Sequence, residues 1–258
     1  MTPILNNAVA LNRPAGPASV VAAISSAARR TGVDFSYLMA NARAESGLDP
    51  NARARTSSAS GLFQFTDATW LATVARHGEK HGLGWAADAL KSGAPGAVKQ
   101  TILSLRHNAE TAATMAAEFT RDNAARLEGA LGRAAGSADL YLAAFFGAGG
   151  AIRFLKTMGS APGMTAASLL PAAAAANHST FYHKDGSPRS LSQVHDLVAS
   201  RINRHMGGGH AAPAITGNSL PPAIAAIGNM LPLPNLAPDP ALIAARARMA
   251  YLVLAAMQ

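Results

Sequence analysis

The sequence predicts an all-α, mainly helical protein, and three observations carry that prediction. Apolar residues make up 49% of the 258-residue chain but aromatics only 5%, so Ala-rich runs rather than β-branched or aromatic ones must supply the core, which favours close-packed helices over sheet. Apolar positions recur at i, i+3, i+4 and i+7 in successive segments. Gly, Pro and capping residues separate those segments, as helix ends require.

The elements follow in order. After a Pro/Gly-containing leader over residues 1–17, Val20, Ile24, Ala27 and Ala28 lie at helical spacing and Gly32 closes the segment. Asp34 is placed to cap the next helix, in which Phe35, Leu38, Met39 and Ala42 define a buried face. Glu45 continues that face: at 100° per residue it projects within about 20° of Leu38, and Gly47 then ends the helix. Residues 48–61 read as a loop. Thr66 or Asp67 caps a helix carrying Trp70, Leu71 and Val74, which the run HGEKHG breaks. A long helical stretch from about Pro95 to Leu131 follows, with an interruption expected around Thr120–Asp122. SADLYLAAFFGAGGAIRFLKTMG is apolar nearly all round, with small residues at 147–150 suited to close backbone approach. A turn-rich piece around Lys184–Pro188 leads to a last core helix starting near Ser190. Residues 207–240 are Gly/Pro-rich and read as a linker, and residues 241–258 as a terminal helix. The organisation expected is thus leader 1–17, domain 18–206, linker 207–240 and helix 241–258.

A formal net charge of +8 and a pI near 10.4 suit an anionic partner: nucleic acid, phospholipid or an acidic wall glycan. The absence of Cys removes disulfides, thiolate nucleophiles and Cys-based zinc sites. His77 and His81 are spaced i, i+4, but the glycines at 78 and 82 break the helix and Glu79 is wrongly spaced for HExxH, so no metal or other cofactor is expected. The segment ALIAARARMAYLVLAAMQ is too short and too charged for a membrane span, and none is expected elsewhere.

The chemistry centres on Glu45. A carboxylate at the C-terminal end of a helix lies in the negative field of the macrodipole, which disfavours its ionised form by about 0.3–1 kcal/mol. Burial beside apolar neighbours acts in the same direction, toward an acid that keeps its proton near neutral pH. Cleavage of a glycosidic bond needs such an acid, because the departing oxygen must be protonated as the bond breaks. An isolated Glu near a helix end is most often only a solvated residue. The run ESGLDP followed by SSASGLFQFTDATW changes that judgement.

Those two runs resemble the first two motifs of the SLT-type lytic transglycosylase family, which cleaves peptidoglycan and has a goose-type-lysozyme-like α fold. Glu45 and Ser46 match its Glu-Ser pair, Pro50 its Pro, and Gly61–Gln64 its Gly-Leu-x-Gln run. The resemblance covers roughly residues 18–205. It implies that Glu45 protonates the bridging oxygen and then, as a carboxylate, takes the proton from the C6 hydroxyl of muramic acid, closing a 1,6-anhydro ring without a second carboxylate. It further implies a later tyrosine whose hydroxyl supports that Glu, for which Tyr182 is the candidate; Ser46, Phe63, Gln64 and Tyr182 are the substrate-binding residues expected. Where the family has Ala-Tyr-Asn-Ala-Gly, this chain has Ala144, Phe145, Phe146, Gly147 and Ala148: the small residues survive and the polar ones do not. Gln64 also suits a turn-bonding role, and Ser46 a helix-end bond. Arg53 and Arg55, in the loop between the motifs, are ordinarily solvated, with contact to anionic stem peptides as the sharper reading.

The function expected is therefore a peptidoglycan lytic transglycosylase, with a hydrolytic muramidase using Asp49 or Asp67, or a non-catalytic peptidoglycan-binding module, as alternatives. Its partners are glycan strands, with a wall-spanning export or flagellar assembly as a candidate and nucleic acid not expected. Its working place is the periplasm or cell wall, although the N-terminus carries no basic region followed by an apolar run that would read as a secretory signal. Because every motif precedes residue 207, a chain ending at Met206 is expected to retain turnover on soluble glycan. Loss of turnover in a shortened chain that still melts cooperatively would make the tail part of the working domain.

Overall fold

A computed structural model of the chain describes residues 16–55 and 57–206, so the expected linker and terminal helix lie outside the described residues. The described residues form eleven α-helices with short 3₁₀ turns, and no strand occurs among them; the all-α expectation is met. Only isolated backbone bridges interrupt the pattern, such as Ser60 with Arg53 and Phe65.

The first two helices form where their local signals place them. α1 (Pro17–Thr31) has Pro at its start and ends at Gly32 with φ 75. α2 (Phe35–Ser46) is capped by Asp34, whose carboxylate accepts the Tyr37 N–H at 2.8 Å, and ends at Gly47 with φ 62. Leu38, Met39 and Ala42 are buried as expected, but Phe35 is 39% exposed. It occupies the first turn, where it lines an open groove with Val21, Met39 and Met206 rather than the core.

α3 (Asp67–His77) is capped by Thr66, and the HGEKHG run then forms a 3₁₀ turn (Glu79–His81) leading into α4 (Gly84–Lys91), a helix its sequence did not announce. α5 (Gly96–Ser104) and α6 (Ala109–Leu131) replace the single long stretch expected from Pro95. The break falls at Leu105–His107, not at Thr120–Asp122. Asn108 caps α6 by accepting the Thr111 N–H at 2.9 Å, whereas the Thr120 hydroxyl bonds back to Ala116 O within the helix at 2.8 Å. The polar triplet 120–122 thus lies inside the helix.

α6 is the spine. It packs against α1, α2, α3 and α7, and its contact face is built largely from buried alanines at 109, 112, 113, 116, 117 and 124, small side chains that allow close helix approach. α7 (Ser137–Ser160) is bent at Gly147, whose φ of 74 and ψ of 158 leave the helical region. Among the described residues α7 alone is long and apolar enough to cross a membrane, but most of that apolar window is buried in the bundle. Three short helices, α8 (Ala166–Leu169), α9 (Pro171–Ala176) and α10 (His178–Phe181), lead to α11 (Leu191–His205). A capping box between Ser190 and Gln193 starts α11, which packs on α2 and α7.

An ionic seam closes α3 onto α6. Glu118, 2% exposed, accepts from His81 at 2.7 Å and Lys80 at 3.1 Å, while Asp122 is bonded by Arg76 and, at 2.9 Å, by His77. Burial alone would raise both carboxyl pKa values. The hydrogen bonds from His81 and Lys80 on Glu118, and from His77 and Arg76 on Asp122, outweigh it and hold both below the ordinary carboxylate range. A depressed folded-state pKa gives stability that is complete above the unfolded value and lost as pH falls through the folded one. Melting followed by circular dichroism is therefore expected to show the stability gap between wild type and Glu118→Gln closing as pH falls from about 5 to 3. A gap independent of pH would contradict the seam's ionic character.

Candidate functional site

Glu45 sits in the last turn of α2, partly buried, and the geometry around it is set by three connections. The helix ends in a left-handed turn: Gly47 N–H reaches Arg43 O at 3.0 Å and Leu48 N–H reaches Ala42 O at 3.4 Å. Ser46 then joins this end to the second motif, its hydroxyl donating toward Leu62 O at 2.8 Å with Ala42 O at 3.2 Å. The residue after the acid thus clamps α2 to the loop facing it.

The loop itself is built around one carbonyl. Ala52 O accepts from Gly61 N–H at 2.8 Å, Gln64 Nε2 at 3.1 Å and Ser60 Oγ at 3.3 Å. Gln64 also donates to Gly61 O at 2.8 Å and holds a left-handed φ of 47. Its amide nitrogen is therefore committed to the loop, leaving the side-chain oxygen as the atom able to accept from a ligand N–H. Phe63 is 7% exposed and packs in the hydrophobic core.

Arg106 and His107, which sequence reasoning did not single out, hold this loop from behind. Buried Arg106 donates through Nη1 to Ser58 O at 2.8 Å, Phe65 O at 2.9 Å and Asp67 Oδ1 at 2.7 Å, and through Nε to Leu103 O at 3.0 Å. His107 places Nδ1 3.0 Å from Pro50 O and Nε2 3.2 Å from Ser60 Oγ, joining the two halves of the loop. Their only sequence signal was position: both lie at the break just before the Asn108 cap.

On the other side of the acid stand two phenols. Tyr37 and Asn41 precede Glu45 by eight and four residues, so all three lie along one side of α2. Asn41 Oδ1 is buried and accepts no hydrogen bond among the described residues. Tyr141 comes from the first half of α7. Both tyrosines are buried, and burial is the main reason their pKa values are pushed far up; Tyr141 and then Glu45 push Tyr37 further, while Glu45 pushes Tyr141 further and Arg201 opposes it. Glu45, Tyr37 and Tyr141 thus form one electrostatic group, with both phenols neutral and able to donate. Tyr182 has different surroundings: its ring stacks on His178 with centroids 4.4 Å apart, and its backbone pairs with Pro188.

The third motif has become packing. Phe145 and Phe146 are buried, Phe146 lying against Phe154 and Phe181 at ring-centroid distances of 5.8 and 5.9 Å. Asp67 is engaged by Arg106, and Asp49 is exposed and accepts the Asn51 N–H at 2.8 Å. Arg53 and Arg55 are exposed.

Residues 22–92 match the family model described as the transglycosylase SLT domain. This match makes that part of the chain similar to the SLT-type lytic transglycosylases, a family that acts on peptidoglycan. It contains Glu45, Ser46 and the Gly61–Gln64 run; the 144–148 segment and Tyr182 lie beyond it.

Gly61 is the position where the loop tolerates no side chain. Its φ is 81, and a Cβ there would lie 2.2 Å from the Arg106 carbonyl oxygen. Gly61→Ala is expected to cost at least roughly 1–2 kcal/mol from the left-handed conformation alone, with the clash added. Urea unfolding measures the loss, and a cost under about 0.5 kcal/mol would mean the loop relocates freely, since that is the usual scale of neutral surface changes.

Proposed function

We infer that the protein cleaves the MurNAc–GlcNAc bond of peptidoglycan as a lytic transglycosylase, with Glu45 acting first as acid and then as base. The observation that carries this reading is the placement of Glu45 at the end of α2, clamped by Ser46 to Leu62 and grouped with the buried phenols of Tyr37 and Tyr141. A neutral phenol donates to a carboxylate without supplying a full positive charge, so it orients the group while leaving it basic enough to be reprotonated. After the leaving oxygen takes the proton, the carboxylate removes the C6 hydroxyl proton and that oxygen closes the anhydro ring. No water enters the step.

A hydrolase would instead need a second carboxylate as nucleophile or to activate water. The two nearest in sequence are already occupied: Asp67 by the Arg106 guanidinium and Asp49 by its own loop. Gln64, through its side-chain oxygen, and Phe63 and Tyr182 complete the proposed glycan-binding set, with Ser46 positioning the acid. The work is proposed to take place in the periplasm or wall, and a wall-spanning export or flagellar assembly is the partner that would bring the protein there.

Glu45→Gln keeps the shape and removes the titrating proton. It is expected to lower turnover at least about 10²-fold, the lower range for general acid catalysis, while glycan binding persists. Asp49→Asn should retain turnover within a few fold. Mass spectrometry of wild-type digests of isolated sacculi should show 1,6-anhydromuramic ends. Reducing ends alone would establish a hydrolase, and binding without any product would establish the non-catalytic module.

A further inference from the structure

Two guanidinium groups converge on the short helix α10. Arg189, from the turn before α11, donates to Ser179 O at 2.9 Å and to Tyr182 O. Arg201, on α11, reaches Thr180 Oγ1 at 3.5 Å. Arg204 follows Arg201 by one helical turn, and His205, whose carbonyl accepts from Arg43 at 3.1 Å, continues the basic run. Beside Arg189 a shallow hollow of about 520 Å³ is lined by His183, Lys184, Asp185 and Ser187.

This cluster lacks a counter-charge. Among the described residues none of the three arginines forms an ion pair with a carboxylate. The acids close in sequence are turned to other partners: Asp185 accepts from the N–H and hydroxyl of Ser187 at 2.9 and 2.6 Å, and Asp196 lies 3.6 Å from His195. Arg201 Nε is fully buried and donates to nothing. Burial lowers the Arg201 pKa, the nearby charges of Arg204 and Arg189 lower it further, and Tyr141 opposes them. A cation withdrawn from water without an anion is costly, and repulsion between neighbouring guanidinium groups adds to the cost. A bound carboxylate would offset both, and the planar donor fork of arginine fits one in bidentate fashion.

The position of the cluster identifies the ligand class. Arg43, two residues before Glu45, donates to His205 O at the end of α11 at 3.1 Å, and α11 packs on both α2 and α7. We propose that Arg201, with Arg189 and Arg204, forms a carboxylate-binding subsite at the edge of the glycan cleft that holds an acidic group of the stem peptide carried by the muramic acid residue. The proposal rests on the peptidoglycan reading of the Glu45 site. It gives Tyr182, whose carbonyl Arg189 holds, a place on the wall of that subsite, and it replaces the exposed Arg53 and Arg55 as the peptide contact.

The test reads binding rather than turnover, so it does not depend on the product chemistry. Glu45→Gln protein is titrated calorimetrically with a disaccharide-tripeptide muropeptide, with the same muropeptide after amidation of its carboxylates, and with the peptide-free disaccharide. The acidic muropeptide is expected to bind at least about tenfold more tightly than the amidated one, as charge-assisted hydrogen bonds to a carboxylate require. Adding Arg201→Gln should remove that preference, and Arg201→Lys should restore part of it. Equal affinity for the acidic and amidated ligands overturns the proposal even if Arg201→Gln does not fold. It is equally overturned by an Arg201→Gln loss shared by all three ligands, which would make the buried Nε a structural group.

Discussion

The site depends on one buried cation. Arg106 satisfies three backbone carbonyls, from Leu103, Ser58 and Phe65, and the Asp67 carboxylate, which begins α3. These acceptors come from the break between α5 and α6 and from both ends of the loop that faces Glu45. Removing the guanidinium would leave several buried carbonyls unpaired at once, each at roughly 1–3 kcal/mol. The same residue constrains the loop a second way, because its own carbonyl occupies the space where a side chain at position 61 would go. Arg106 thus adds to the bonds on Ala52 O and to those of His107 in setting the loop shape, and through Ser46 and Leu62 that shape reaches Glu45.

Charge is divided between structure and chemistry along the same lines. Glu118, Asp122, Asp139 and Asp67 are all bonded to cationic side chains; Arg133, for example, holds Asp139 at 2.6 Å. On Glu118 and Asp122 those contacts keep the carboxyl ionised, and they close α6 onto α3 and the turn that follows it. Glu45 is coupled to two phenols that remain neutral. A neutral dipole favours neither protonation state of a nearby carboxyl as strongly as a fixed positive charge favours the carboxylate.

Much of this was legible because the signals are local. Gly32 and Gly47 end helices by adopting positive φ, and Asp34, Thr66 and Ser190 cap them, all within a few residues of the pattern that announced them. Glu45, Ser46 and the Gly61–Gln64 run were read from a motif, and the structure brings the ends of that motif together. What sequence could not give was long-range. Asp122 looked like part of a break until α3 supplied Arg76 and His77 as its partners. Arg106 carried no local signal, because its acceptors Ser58, Phe65 and Asp67 lie some forty residues earlier. Tyr141 was absorbed into an apolar helix face, while Tyr182 was favoured on its place in the chain. The helices α8 to α10 are too short to show a period at all.

The altered third motif follows from the same division. Where the resembled family carries a Tyr and an Asn, Phe145 and Phe146 are buried, and Phe146 packs across the Gly147 bend onto Phe154 and onto Phe181 of α10. The segment forms a hydrophobic join between the two halves of α7 and the short helix beyond. That join also fixes α10, the element on which Arg189 and Arg201 converge. The phenol of Tyr141, one turn earlier on α7, is coupled to Glu45, and the helix that Phe146 packs against accepts hydrogen bonds from Arg189 and Arg201. Reversing Phe146 to Asn would therefore put a polar amide into a buried aromatic contact, and the first consequence would be loosening of α10 rather than recovery of a sugar contact.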